Sequence, residues 1–222
     1  MRPLTLTTPK PMIEVAGRPL IDHMLDRLVE AGVERAVVNV HWLADRIEDH
    51  VKRRADIEVI VSDEREKLLD QGGGIMKAWK HLGDGPILVC NTDAIWLPSG
   101  GWTLRRLFDA WDEARMDVAL MVAAAADSIG VDWEGDFLME PDGRLTKRPE
   151  RVVAPFVYAG VGLIAREAFA GETREVFRLA PIFFDAAAKG RLHGVRLDGQ
   201  WLHVGEPGAV AEANAAFARA PH

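Results

Sequence analysis

One apolar run constrains this chain more than any other stretch. Pro86-Ile87-Leu88-Val89-Cys90 carries no charged or strongly polar side chain at either parity, so as a strand it has to be covered on both faces. The segments around it alternate. Leu20 to Ala31 puts Leu20, Ile21, Met24, Leu25, Leu28 and Val29 on one helical face and stops at Gly32. Ala36 to Val40 reads as a short buried strand, Leu43 to Arg54 as an amphipathic helix, and Ile57 to Val61 as the next strand. A triple glycine, Gly72-Gly73-Gly74, opens a helix over Ile75 to His81. After the central run come a helix from Thr103 to Arg115, a strand from Val118 to Ala124 and a hairpin turn at Pro141-Asp142-Gly143. Strand–helix alternation builds βαβ units. The expected fold is α/β, a three-layer α/β/α sandwich with a Rossmann-like, mostly parallel (mixed) sheet. With 222 residues, 48% of them hydrophobic, and no linker or low-complexity tract, residues 1–222 read as one domain.

Charge narrows the partners. The formal balance of −7, from 34 acidic and 27 basic residues with no long basic run, argues against nucleic acid or an anionic membrane surface. A phosphorylated small molecule remains open, because it needs only a local cluster of cations. The sole cysteine, Cys90, lies inside the apolar run, so no disulfide framework exists and the thiol reads as a small buried hydrophobe in a reducing compartment. No stretch reaches about 18 consecutive apolar residues, and no signal peptide precedes the first element. The sequence reads as cytoplasmic.

In open α/β sheets, ligands bind outside the carboxyl ends of the strands. Asn91-Thr92-Asp93 follows the central run. Asp93 is placed either to hold a hard divalent cation beside phosphates or to cap the turn. Gln71 precedes the triple glycine. Glycines there let a base or a phosphate approach the backbone, or form a hinge, and the Gln71 amide offers a base edge both a donor and an acceptor. The first twelve residues hold three prolines and two cations, with neither apolar period, and read as an ordered loop. Lys10, between Pro9 and Pro11, projects from a stiffened backbone.

Arg2-Pro3-Leu4-Thr5, Pro9-Lys10-Pro11-Met12 and Gly17-Arg18-Pro19-Leu20 together resemble the signature of the sugar-1-phosphate nucleotidyltransferases, nearest to their N-acetylmuramate-1-phosphate uridylyltransferase group. The resemblance covers almost the whole chain. It implies attack of a sugar-1-phosphate oxygen on the α-phosphorus of a nucleoside triphosphate, with UTP and N-acetylmuramate-1-phosphate as the first guess. It implies Mg2+ at Asp93, with Arg2 and Lys10 neutralising charge. The nucleotide would meet Lys10, Gln71, Gly72, Gly73 and Asn91. The sugar would meet Gly135, Asp136, Arg148 and Gly160. The partners would be small molecules, and the protein a monomer or small homo-oligomer.

The chain also departs from the family. Thr92 replaces the usual glycine, and no acid directly precedes Lys147-Arg148-Pro149. Within Trp201-Leu202-His203-Val204-Gly205, His203 stands where the family has its second metal-binding aspartate. His203 reads as a poor ligand for Mg2+, as a phosphate contact through Nε2–H, or as a strand-end histidine bonded to backbone. The family's first strand and glycine-rich turn are absent before Met1. Relative to the family the chain is expected to be N-terminally incomplete, lacking a central strand between those that begin at Ala36 and Pro86. A non-catalytic nucleotide- or sugar-phosphate-binding module of the same fold is the alternative.

Overall fold

A computed structural model describes residues 1–97 and 102–220. After 3-10 turns at Leu4–Leu6 and Lys10–Met12, the chain forms β1 (Glu14–Val15), β2 (Arg18–Pro19), α1 (Leu20–Glu30) and β3 (Arg35–Val40). Next come α2 (Ala44–Val51), β4 (Glu58–Asp63), α3 (Asp70–Ala78), β5 (Ile87–Cys90), β6 (Ala94–Leu97) and α4 (Trp102–Ala110). The remaining elements are β7 (Val118–Ala124), β8 (Phe137–Met139), β9 (Leu145–Lys147), β10 (Phe156–Ile164), α5 (Ala180–Ala188), β11 (Leu192–Arg196), β12 (Gln200–His203) and α6 (Pro207–Arg219).

The strand β7 shows the layering. Its Ala119, Met121 and Ala123 enter a core with Met24 and Leu25 of α1 and Leu104 and Leu107 of α4. Its Val118, Leu120 and Val122 enter a second core with Phe183 and Ala186 of α5. Successive side chains of a strand point to opposite faces, so helices cover the sheet on both sides. The three-layer α/β/α sandwich expected from the sequence is present.

The sheet is mixed. Its order is β11-β7-β10-β8-β9, with β5 also on β10. β11 is parallel to β7, whereas β10 runs antiparallel to both β7 and β5. Thus β5, β7 and β11 share one direction and β10 is reversed between two of them. β3 and β4 form a separate parallel pair. Asn39 and Val40 at the end of β3 line the same cleft as Cys90 and Asn91 at the end of β5, so these two strands also point the same way.

β3 and β5 do not pair with each other among the described residues. A slot of about 410 Å³ separates them, lined by Ala36 and Val38 on one edge and Ile87 and Val89 on the other. Leu25 of α1 and Ala78 of α3 also line it. No helix of the described residues is long and apolar enough to cross a membrane.

Candidate active site

A polar cluster forms where the first loop crosses the carboxyl ends of β3 and β5. Beyond β3, the Trp42 indole donates to the Thr5 carbonyl at 3.0 Å, anchoring the first 3-10 turn. The second 3-10 turn then brings the Lys10 ammonium onto Oδ2 of Asp93, just past β5. Pairing of β12 with β6 sets His203 opposite Ala94, the neighbour of Asp93. His203 Nδ1 consequently lies 4.0 Å from the same carboxylate oxygen. Asp93 and Lys10 are 83 positions apart in the chain, and only the fold joins them.

Asn91 connects this cluster to two other elements. Its amide donates to the Gly160 carbonyl at 2.8 Å, and its side-chain oxygen accepts from Gln71 Nε2 at 3.0 Å. Gly160 has φ +79°, and a Cβ there would come within 2.7 Å of the Ala94 methyl. Glycine is therefore required for β10 to approach the turn after β5.

The triple glycine departs from its expected position. α3 begins at Asp70, so the glycines lie inside the helix rather than before it. Glycine inside a helix costs about 1 kcal/mol against alanine, and close packing explains why it is kept. A Cβ on Gly72 would come within 2.2 Å of the Phe177 ring, and one on Gly73 within 2.1 Å of the Glu175 carbonyl. The Gly72 amide is already donated to the Phe177 carbonyl. Protein therefore fills the space on the Cβ side of Gly72 and Gly73. Gln71, on the exposed side, keeps its place next to Asn91.

One helper was not read from the sequence. Glu64 is a buried carboxylate that accepts from Asn39 Nδ2 at 2.7 Å and from the Leu69 amide at 3.0 Å. Asn39 also donates to the Gly74 carbonyl, so this pair fixes the start of α3 beside the cleft.

The profile of the MobA-like NTP transferase domain matches residues 5–198. This chain belongs to that family. It is 44% identical over 224 residues to the N-acetylmuramate α-1-phosphate uridylyltransferase of Caulobacter vibrioides, covering 99% of this chain and 93% of the relative. It is 33% identical to the enzyme of the same name from Neisseria meningitidis serogroup B, covering 97% and 92%. The fold matches that of UDP-glucose pyrophosphorylase from Acinetobacter baumanii with a TM-score of 0.78, at 18% identity, over 97% of this chain and 88% of that one.

On the other side of the Lys10–Asp93 cluster, β8 and β10 bring up the residues that the resemblance assigned to sugar. Asp136 Oδ1 accepts from the Trp133 indole at 3.1 Å, and Oδ2 accepts from the Tyr158 amide at 2.9 Å. Arg148 donates to the carbonyls of Gly135 and Val152 at 3.0 and 3.1 Å. Gly135, at φ +80°, has no room for a Cβ beside the Ala154 carbonyl. Asp136 and Arg148 thus hold the loop that carries Trp133, whose ring edge meets His203. Arg2 is exposed and makes no side-chain hydrogen bond or ion pair among those of the described residues. Asp136→Ala should destabilise the fold by about 1–3 kcal/mol, because two donors lose their acceptor. Urea unfolding is the check, and an unchanged midpoint would remove this role from Asp136.

Burial sets two further groups. The Tyr158 hydroxyl is buried without a partner among the described residues, and burial, reinforced by Cys90 and Asp93, pushes its pKa well above the usual range. The Cys90 thiol is pushed up to about 12, again by burial. Neither serves as a nucleophile or base near neutral pH.

Proposed function

We propose that this protein transfers a uridylyl group from UTP to N-acetylmuramate-1-phosphate, releasing pyrophosphate. The observation that carries the reading is the convergence of Lys10, Asp93 and His203 at the end of β5, between the Gln71–Asn91 contact and the loop held by Asp136. The sugar-phosphate oxygen attacks the α-phosphorus of the triphosphate and the pyrophosphate leaves, so no covalent enzyme intermediate is required. Lys10 supplies positive charge to the phosphates, Gln71 and Asn91 face the base, and the loop around Trp133 faces the sugar. Positioning and charge neutralisation supply the catalysis.

The carboxylate of Asp93 suits a divalent cation, because it already holds one cation, the Lys10 ammonium. Among the described residues no three His, Cys, Asp or Glu side chains form a metal-binding group. A cation held at Asp93 would take most of its shell from phosphate and water, as Mg2+ commonly does. When bound, it would neutralise charge on the phosphates.

The test is pyrophosphate release from UTP with N-acetylmuramate-1-phosphate, set against N-acetylglucosamine-1-phosphate and the other nucleoside triphosphates. Absence of release with every sugar phosphate and triphosphate offered would leave only the binding module. Lys10→Ala should weaken binding of UTP and leave binding of uridine unchanged, as read by calorimetry. Equal losses for both would remove Lys10 from the phosphate contact.

A further inference from the structure

We propose that the segment from Glu172 to Arg178 sets the place of Gln71, and that Phe177 is the positioning residue through which the base of the triphosphate is selected. The proposal rests on the nucleotidyl-transfer reading and concerns how the base is read. Its basis is the weakness of the start of α3. Glycine is the poorest helix former after proline, and three in succession leave that turn unable to hold itself. Gln71 comes just before them, so the direction of its side chain depends on whatever braces the turn.

The brace comes from 108 positions away in the chain. The Phe177 carbonyl accepts from the Gly72 amide at 2.9 Å. The buried Phe177 ring packs on Gly72, and the Glu175 carbonyl on Gly73, each in the space that a Cβ would take. Two ion pairs flank the contact, Lys67 with Glu175 and Arg178 Nε with Asp70 Oδ2 at 3.3 Å. Asp70 keeps a left-handed φ of +61°, and its Oδ1 accepts from the Gln71 amide at 2.8 Å. The segment is itself closed by Glu172, whose carboxylate accepts from the Arg174 amide and Nε at 2.8 and 2.9 Å. The Arg174 guanidinium in turn lies over the Phe177 ring, 5.4 Å from its centroid. From the opposite side, Glu64 and Asn39 hold Leu69 and Gly74. Gln71 is fixed between the two braces.

Selection follows from the sense in which the Gln71 amide is held. Its Nε2 donates to Asn91 Oδ1 at 3.0 Å, which sets the plane of the amide and which end is the acceptor. Uracil presents N3–H as a donor where cytosine presents a bare N3. An amide held in one sense favours one of these bases over the other, whereas an amide free to move or flip serves both. Such a reader has to stay within about 0.5 Å of its place. The ring of Phe177 supplies that constraint without touching the nucleotide.

Steady-state rates with UTP and CTP test the brace. Phe177→Ala should raise KM for UTP and lower the UTP-over-CTP ratio of kcat/KM, each by about tenfold, the scale of one hydrogen bond to a base edge. KM for the sugar phosphate should stay where it is. Phe177→Leu, which refills most of the space, should recover the ratio to within a few-fold. Adding Phe177→Ala to Gln71→Ala should lower the ratio no further, because the ring acts through the amide. A ring that only filled the core would move the melting temperature and leave the ratio alone. The wild type gives a second readout that needs neither variant nor turnover, and it decides the point if Phe177→Ala fails to fold. Uridine should slow amide exchange at Gly72, and tripolyphosphate should not. An unchanged ratio in folded Phe177→Ala, a further fall in the double variant, or exchange at Gly72 indifferent to uridine would overturn the proposal. Pyrophosphate release from UTP in the same preparations would leave nucleotidyl transfer standing in that case. Exchange slowed by uridine, with no release from any triphosphate, would instead overturn the transfer reaction and keep the brace.

Discussion

Replacing Asp93 with asparagine should lower turnover by about a hundredfold or more, the scale of losing one group that stabilises transition-state charge. The substitution keeps the shape and removes the charge. Two things depend on that charge. It is the carboxylate that the cluster at the end of β5 contains among the described residues, and it holds Lys10 in place before phosphates arrive. Stability should scarcely change, because the Lys10 side chain is 36% exposed in this pair, and partly exposed ion pairs contribute about 0–1 kcal/mol. A steady-state assay and a thermal melt of the same preparation separate the two effects. Activity within a few-fold of wild type, with an unchanged melt, would remove Asp93 from cation binding.

The sequence carried the parts of this site that depend on local pattern. The apolar run before Asn91 announced β5, and a strand's carboxyl end is where α/β folds place ligands, so Asp93 was legible. The helical face from Leu20 to Val29 and the turn at Pro141-Asp142-Gly143 were legible for the same reason. What could not be read was set by partners distant in the chain. β10 runs for nine residues, yet its reversal between β5 and β7 is a pairing choice that no local period encodes. The glycines inside α3 are poor helix formers, and their placement follows from Phe177 and Glu175, about a hundred residues later. Asp136 was assigned to sugar by resemblance, and its bonds to Trp133 and Tyr158, which support the loop, could not be read from local pattern. His203 could not be resolved from its type alone, because its role depends on which nitrogen Trp133, Trp201 and Gly205 leave facing Asp93.

The second large effect concerns the slot between β3 and β5. An extended apolar segment fused ahead of Met1 should raise the melting temperature by about 10–20 °C. The slot is walled by strand edges on two sides and by helices on its faces, with Leu25 of α1 and Ala78 of α3 among the lining residues. Only a peptide strand offers N–H and C=O groups to both edges at once, and apolar lining on both faces calls for apolar side chains at both parities. Its flanks have six residues in β3 and four in β5, so about five residues fill it. Burial of five such side chains contributes about 1.5–3 kcal/mol each, and ordering five residues costs about 1–2 kcal/mol each for the backbone and a further 0.5–1 kcal/mol, roughly, for each side chain. These nearly cancel. The gain then comes from hydrogen bonds on two edges at about 1 kcal/mol each, a net of about 5 kcal/mol, and each kcal/mol shifts the melting point of a domain this size by about 2–4 °C. Reach is not an obstacle. The first loop crosses the carboxyl ends of both strands, from Trp42 to Asp93, which is where a strand parallel to them would emerge. Amide exchange should slow along Ala36 to Val38 and Ile87 to Val89 together. A melting point that stays put, or protection on one edge alone, would show that the slot does not take a strand.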